Sequence, residues 1–238
     1  MKMDLEQSGF RICPHALSDR QIEELLSSLR LDEHSGTRAR RGSVYAARNL
    51  LQLPEIRQLV QAPEMRQLVE PFLGKNAFAV RGILFDKNRD ANWKVVWHQD
   101  ISIAIKEKIE TAGFGPWTQK AGVPHVQPPA EILERMLTVR LHLDDCHANN
   151  GPLKVLSGSH RHGKLDAPEI VRWRQRVTET ICEVPRGGAL LMKPLLLHAS
   201  APTATPAHRR VIHLDFAAQE LPNGLQWHDQ CFLYPSEN

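Results

Sequence analysis

Cysteine is scarce in this chain. The four residues Cys13, Cys146, Cys182 and Cys231 are widely scattered among 238 residues and form no C-x-x-C pair. A disulfide framework and a zinc ribbon are both unsupported, and reduced thiols in a cytoplasmic protein are expected. No stretch approaches the roughly 18 apolar residues of a membrane span. Neither sign of charge dominates: 30 lysines and arginines face 27 aspartates and glutamates, a formal charge of +3. A nucleic-acid partner, which needs a clustered basic face, is not implied. Residues 1–10 hold Asp4 and Glu6 and no apolar core, so no secretory signal is expected. The final residues, Pro235-Ser236-Glu237-Asn238, are not the Ser-Lys-Leu peroxisomal address. What remains is a globular composition, 42% hydrophobic and 24% charged. The length suits one domain spanning 1–238, with enough chain for a sizeable core.

Ser18 followed by Gln21 reads as a capping box, and Ile22, Leu25, Leu26 and Leu29 recur at helical spacing. His34 to Gly42 reads as a polar, basic loop. Pro54-Glu55-Ile56-Arg57-Gln58-Leu59-Val60 is echoed by Pro63-Glu64-Met65-Arg66-Gln67-Leu68-Val69. Each copy has proline at a helix start and glutamate in the first turn, where the helix dipole favours it. Two short copies make consecutive packing helices rather than a solenoid, and Gly74 ends the second.

From Ala77 onward the period shifts toward two. Strands are predicted at 77–85, 93–105, 136–144, 153–156, 180–184, 189–192 and 210–217. Turn signals such as Asn149-Asn150-Gly151-Pro152 and Pro185-Arg186-Gly187-Gly188 separate them. Helices first (about 15–75), then many short strands (about 76–220), argue for an antiparallel sandwich or barrel with flanking helices. The connection 106–131 is long and rich in proline and glycine, yet holds Phe114, Trp117, His125 and Gln127. A lid or pocket wall is expected there, with a self-packed surface insertion as the alternative.

Trp97-His98-Gln99-Asp100 ends an apolar strand. Alternate residues of a strand face one way, so His98 and Asp100 project side by side and can take two adjacent positions around a metal ion. Alone, such a pair is equally a His–Asp contact at a strand end. Pro194-Leu195-Leu196-Leu197 delivers His198, which alone reads as a packed core histidine. Eleven residues later Arg209 opens the strand Arg210-Val211-Ile212-His213-Leu214-Asp215-Phe216. Two histidines and one carboxylate form the facial triad that leaves three positions open on non-haem Fe(II). A nearby arginine supplies a bidentate fork for a carboxylate. The doublet Arg209-Arg210 leaves open which guanidinium points inward, since strand alternation admits only one. Thr138, Arg140, His142 and Asp144 form a polar strand face, lining an interior or facing water. The remaining histidines have ordinary contexts, with His160 anchoring a turn.

H-x-D, a distant histidine and an arginine eleven residues beyond resemble the phytanoyl-CoA hydroxylase type of Fe(II)/2-oxoglutarate-dependent dioxygenase. Leu143-Asp144-Asp145, Asn150-Gly151-Pro152-Leu153 and Ser157-Gly158-Ser159-His160 are similar to that family's central motifs, and the likeness runs from about Gly9 to Phe216. The resemblance implies a double-stranded β-helix, or cupin-like jelly roll, with His98, Asp100 and His198 as iron ligands. It implies that Arg209, assisted by Ser200, holds the far carboxylate of 2-oxoglutarate, with Trp117 walling that pocket. Arg140, His142 and His125 are candidates for substrate contact. The implied reaction is hydroxylation of an aliphatic C–H bond of a small molecule by O2, with release of succinate and CO2. Asp100 sets the chain apart from halogenating relatives, which lack the carboxylate ligand. A hydrolase using another metal on the same ligands, or a non-catalytic metal-binding jelly roll, are the competing readings, and Arg209 has no role in hydrolysis. No oligomeric state is indicated.

Overall fold

The computed structural model describes residues 2–29, 31, 34–204 and 208–235. The terminal reading at 236–238 lies outside them. The chain begins with α1 (Lys2–Ser8), β1 (Phe10–Cys13) and α2 (Asp19–Ser28). A hairpin of β2 (Thr37–Arg40) and β3 (Ser43–Arg48) follows, then α3 (Pro54–Val60) and α4 (Pro63–Leu73). The strand-rich part holds β4 (Phe78–Lys87), β5 (Val95–His98), β6 (Ile103–Ala104), β7 (Trp117–Lys120) and β8 (Val123–Val126). Next come α5 (Ala130–Glu134), β9 (Leu137–His142), β10 (Leu153–Val155), α6 (Ala167–Arg176) and β11 (Thr180–Cys182). The chain closes with β12 (Ala189–Met192), β13 (His198–Ser200), β14 (Arg209–Ala217) and β15 (Cys231–Phe232).

The local rules hold where the sequence states them strongly. Ser18 and Gln21 cap α2 reciprocally, and Ile22 and Leu25 bury its inner face. Proline opens both α3 and α4, and Gly74 caps the latter at positive φ. Full burial of each such aliphatic side chain contributes roughly 1.5–3 kcal/mol.

The main sheet runs β1-β12-β9-β14-β4-β3-β2, with β15 also on β4. A facing sheet runs β11-β10-β13-β5, and a smaller one β6-β8-β7. All the pairings are antiparallel. This is the jelly roll, mainly β with flanking helices, that the motifs imply. Period-two alternation divides the main sheet into two chemical faces. Leu137, Val139 and Leu141 of β9, Ile212, Leu214 and Phe216 of β14 and Leu84 of β4 join the core shared with α2, α3 and α4. The alternate residues Arg140, His213, Arg209, Arg81, Ile83 and Phe85 line the interior cavity. A one-residue register slip would exchange these faces, so the buried helical core fixes which polar residues point inward.

Several expectations need correcting. The basic stretch after His34 is not all loop: Thr37–Arg40 pairs with Ser43–Arg48, so the N-terminal part is not purely helical. The alternating residues of β3 find a partner in β4, and this tertiary pairing overrides the polar composition. The predicted strand 93–105 is two strands in different sheets, broken where the H-x-D turn leaves the facing sheet. Between 106 and 131, a hairpin of β7 and β8 (Trp117–Val126) replaces part of the expected loop.

Candidate functional site

Three side chains from two strands converge. His98 ends β5 and pairs in register with His198, which opens β13. Their rings lie 4.2 Å apart at 53°. Asp100 sits just past β5, its oxygens 3.9 Å from His98 Nε2 and 3.7 Å from His198 Nε2. Three donor atoms of these residues lie within 4.8 Å of one another, the one such group among the described residues. Donors about 2.0–2.2 Å from one ion must lie within about 4.4 Å of each other. Both carboxylate contacts meet that limit.

The surroundings prepare these atoms for a metal. His98 Nδ1 donates to Val96 O and His198 Nδ1 to Leu196 O, each at 2.8 Å. A carbonyl can only accept, so Nδ1 carries the proton and each Nε2 presents its lone pair. Burial, with His98 adding to it, pushes the His198 pKa down to about 4, although Asp100 opposes this. The ring therefore stays neutral, as ligation requires. Burial opposes ionisation of Asp100, but His198, His213 and Arg81 outweigh it and hold the carboxyl below its usual range.

Gln99 points the other way and ties the two halves of the triad together. Its Nε2 donates to Leu195 O at 2.7 Å and Gly163 O at 2.9 Å, and its Oε1 accepts from Leu165 N at 2.8 Å. Ser159, fully buried, accepts from Leu197 N at 2.8 Å, fixing the residue before His198. In Gln99→Leu one buried and two part-buried backbone groups lose their partners, which costs roughly 2–4 kcal/mol. The melting temperature is expected to fall by roughly 5–15 °C, together with metal affinity, as read by thermal denaturation and bound-iron content. Unchanged values for both would remove this role.

The triad opens into a cavity of about 280 Å³. Its apolar walls are Ile83, Phe85, Trp93, Val95 and Leu153. Beyond the triad, Arg209 is buried: its Nη1 donates to Gly151 O at 2.5 Å and its Nε has no partner. Gly151 adopts φ +62, and a Cβ there would lie 2.7 Å from Ala201 O, which accounts for glycine in the Asn150-Gly151-Pro152 turn. Beside it, buried Lys87 donates to Ser200 Oγ at 2.8 Å and Ala201 O at 2.6 Å. Burial, reinforced by Arg209, pushes the Lys87 pKa down to about 7. Arg140 Nη1 donates to His213 Nδ1 at 2.9 Å, and His213 Nε2 then donates to Asp215 at 3.1 Å. Asp215 also accepts from Thr138 and Arg81, so this wall is rigid and hydrogen-bonded. Cations with an unpartnered buried Nε and no carboxylate opposite suit an acidic cosubstrate, since buried polar atoms without partners are rare. The donor set thus fits both the metal and 2-oxoglutarate.

The strand phase is settled in favour of Arg209 lining the cavity. Arg210 turns outward and grips Asp144 through Nε at 2.8 Å and Nη2 at 2.6 Å. Ser200 and Arg140 line the cavity as the sequence suggests. Trp117 does not: it belongs to β7, packs toward the cluster around Phe78 and Trp227, and lies under Lys108. Trp93 walls the cavity instead. His125 lies outside the lining, its Nδ1 turned to Val123 O at 3.0 Å, with its pKa lowered to about 4 chiefly by burial. His142 also lies outside the lining, buried with both ring nitrogens unpartnered. Sequence reasoning missed Lys87, Gln99 and Trp93. Lys87 was within reach, since Arg81, Ile83, Phe85 and Lys87 alternate along β4 to end on an inward cation.

Fold and site together define a cupin-like jelly roll with a two-histidine, one-carboxylate centre. The sequence matches the family model described as Phytanoyl-CoA dioxygenase (PhyH) over residues 5–211. The chain therefore belongs to the phytanoyl-CoA dioxygenase family, and it is a 2-oxoglutarate-dependent oxygenase using iron, 2-oxoglutarate and O2. No curated protein matches by sequence. Among solved structures, EctD from S. alaskensis with bound Fe has TM-score 0.68 at 17% identity, covering 91% of this chain and 75% of that one. The epimerase SnoN in complex with Fe3+, alpha ketoglutarate and nogalamycin RO has TM-score 0.66 at 16% identity, covering 94% and 89%. AviO1 from Streptomyces viridochromogenes Tue57 has TM-score 0.64 at 22% identity, covering 93% and 95%. These likenesses concern the fold. Among the described residues, no helix is long and apolar enough to cross a membrane.

Proposed function

We propose that this oxygenase hydroxylates an aliphatic C–H bond of a small molecule, with His98, Asp100 and His198 holding the iron. In this reading Arg209, Lys87 and Ser200 receive the far carboxylate of 2-oxoglutarate. The observation that carries it is the meeting of three ligand atoms and a buried, partly unpartnered Arg209 within one cavity. The bound iron, with 2-oxoglutarate and O2, supplies the oxidising power. The chain supplies position and dryness. Val96 O and Leu196 O fix the imidazole protons on Nδ1, so neither ring needs to shed a proton to ligate. Asp100 supplies the anionic donor. Arg209 presents a fork whose geometry matches a carboxylate. The Arg140–His213–Asp215 chain keeps its protons in place, and Phe85, Trp93 and Leu153 exclude water from the reacting carbon. Four free thiols are consistent with a cytoplasmic setting.

The decisive experiment measures oxygen uptake by iron-loaded protein. Uptake should require 2-oxoglutarate, yield succinate in equal amount, and fail with zinc in place of iron. Hydrolytic turnover with zinc, or iron binding without any 2-oxoglutarate consumption, would transfer support to the hydrolase or the non-catalytic reading respectively.

A further inference from the structure

Five basic side chains line the cavity, Arg48, Arg81, Arg140, Arg209 and Lys120, against the single carboxylate of Asp100. They divide into two groups. Lys87 and Arg140 are depressed by Arg209, while Lys120 is depressed by Arg81 and Arg48, in each case after burial. The first group is the proposed seat of 2-oxoglutarate. The second sits around the same cavity: Arg48 ends β3, Lys120 ends β7, and Arg81 lies on β4, which ends at Lys87 of the first group. Within it Arg81 is already neutralised, its Nε 2.5 Å from Asp215 and its Nη1 donating to Ser102 O at 3.0 Å. Lys120 Nζ donates to Ser102 Oγ at 2.8 Å, a neutral partner. Arg48 forms no ion pair with a described residue, and burial, Arg81 and Arg38 lower its proton affinity. Arg48 and Lys120 are half-buried cations facing one cavity; Asp100 attracts both, but burial and the neighbouring arginines outweigh it, and an anionic ligand would offset that cost.

We propose that Arg48 and Lys120 form a second anion subsite that recognises the substrate, a small organic acid bearing a carboxylate or a phosphate. Arg48 offers a planar fork and Lys120 a point charge, a combination that receives either head group. Arg48 and Lys120 belong to β3 and β7 and Arg209 to β14, so substrate and cosubstrate are read by separate cations. Lys120 belongs to the β7–β8 hairpin, so a bound anion also ties that hairpin to β3. The oxidation step rests on the iron and 2-oxoglutarate reading above, but anion binding does not.

Calorimetry with four five-carbon probes tests it: pentanoate, pentyl phosphate, pentan-1-ol and pentylamine. The iron-loaded protein with 2-oxoglutarate under nitrogen should bind at least one anion about tenfold or more tightly than the alcohol, and the amine not at all. Arg48→Gln and Lys120→Gln should each weaken that anion by about tenfold. Their 2-oxoglutarate affinity should stay within about twofold of wild type. The tighter anion identifies the head group. Binding of alcohol and anion alike, no anion binding up to about 10 mM, tenfold above a millimolar constant, or unchanged anion affinity in both variants overturns the proposal. A large loss of 2-oxoglutarate affinity in Arg48→Gln overturns it too, because the pair would then serve the cosubstrate. Failure of the cosubstrate reading shows separately, as absent 2-oxoglutarate binding in wild type, while the anion preference stays measurable in metal-free protein.

Discussion

Asp100→Ala is expected to lower 2-oxoglutarate-dependent succinate formation by about 10³-fold or more, a barrier increase of about 4 kcal/mol. The variant keeps two imidazoles whose Nε2 atoms still converge, but loses the anionic donor that completes the facial set. Iron content after dialysis should fall with it. The fold should survive, because Asp100 anchors its backbone N–H on Pro194 O at 2.9 Å and alanine retains that bond. Arg81 likewise keeps Asp215 as its partner. The melting temperature is therefore expected to stay within a few degrees of wild type. Wild-type succinate formation in this variant would eliminate the iron assignment outright, and with it the function proposed for the site.

The second large effect separates neighbouring arginines. Arg209→Ala should raise the half-saturating concentration of 2-oxoglutarate by about 10²-fold, the scale of a truncated, desolvated charge pair. Arg210→Ala should leave it within about twofold, because that guanidinium faces away and grips Asp144. It should cost only modest stability, the pair being partly exposed. Lys87→Met extends the contrast. Its cosubstrate requirement should rise about tenfold, while the cosubstrate-free protein becomes more stable near neutral pH, since a buried ammonium is removed. The sign follows from linkage. The folded-state pKa of Lys87 lies at about 7, below its ordinary 10.5. Between these values the unfolded chain binds more protons, so this residue makes wild-type stability rise with pH across that window. Lys87→Met should abolish that contribution, as thermal melts from pH 7 to 10 would reveal. Steeper cosubstrate loss in Arg210→Ala than in Arg209→Ala would mean that the strand phase is reversed.

Strong local signals were legible in the residues alone. The Ser18–Gln21 box, the proline-initiated repeats and the alternation of β9 and β14 rest on interactions between near neighbours, so a window of a few residues contains their cause. The ligand residue types were equally legible as an H-x-D pair and a distant histidine, although β5 ends at His98 and Asp100 reaches the site from the turn beyond it.

Other features depended on residues far apart in the chain. The polar composition after His34 hides β2 and β3, whose stability comes from pairing β3 with β4 and β2 with β3 rather than from their own sequence. Trp117 and Trp93 are alike as residues, and only the packing of Trp117 against the cluster around Phe78 and Trp227 decides between them. Arg209 faces inward because Ile212, Leu214 and Phe216 must bury against the helices, a choice made by the core and merely inherited by the arginine. Residue chemistry and period are local properties and determined the kind of centre this chain carries. Which charges share the cavity, including Lys87, Arg48 and Lys120, was decided by long-range packing, because electrostatic neighbours are set by distance in space.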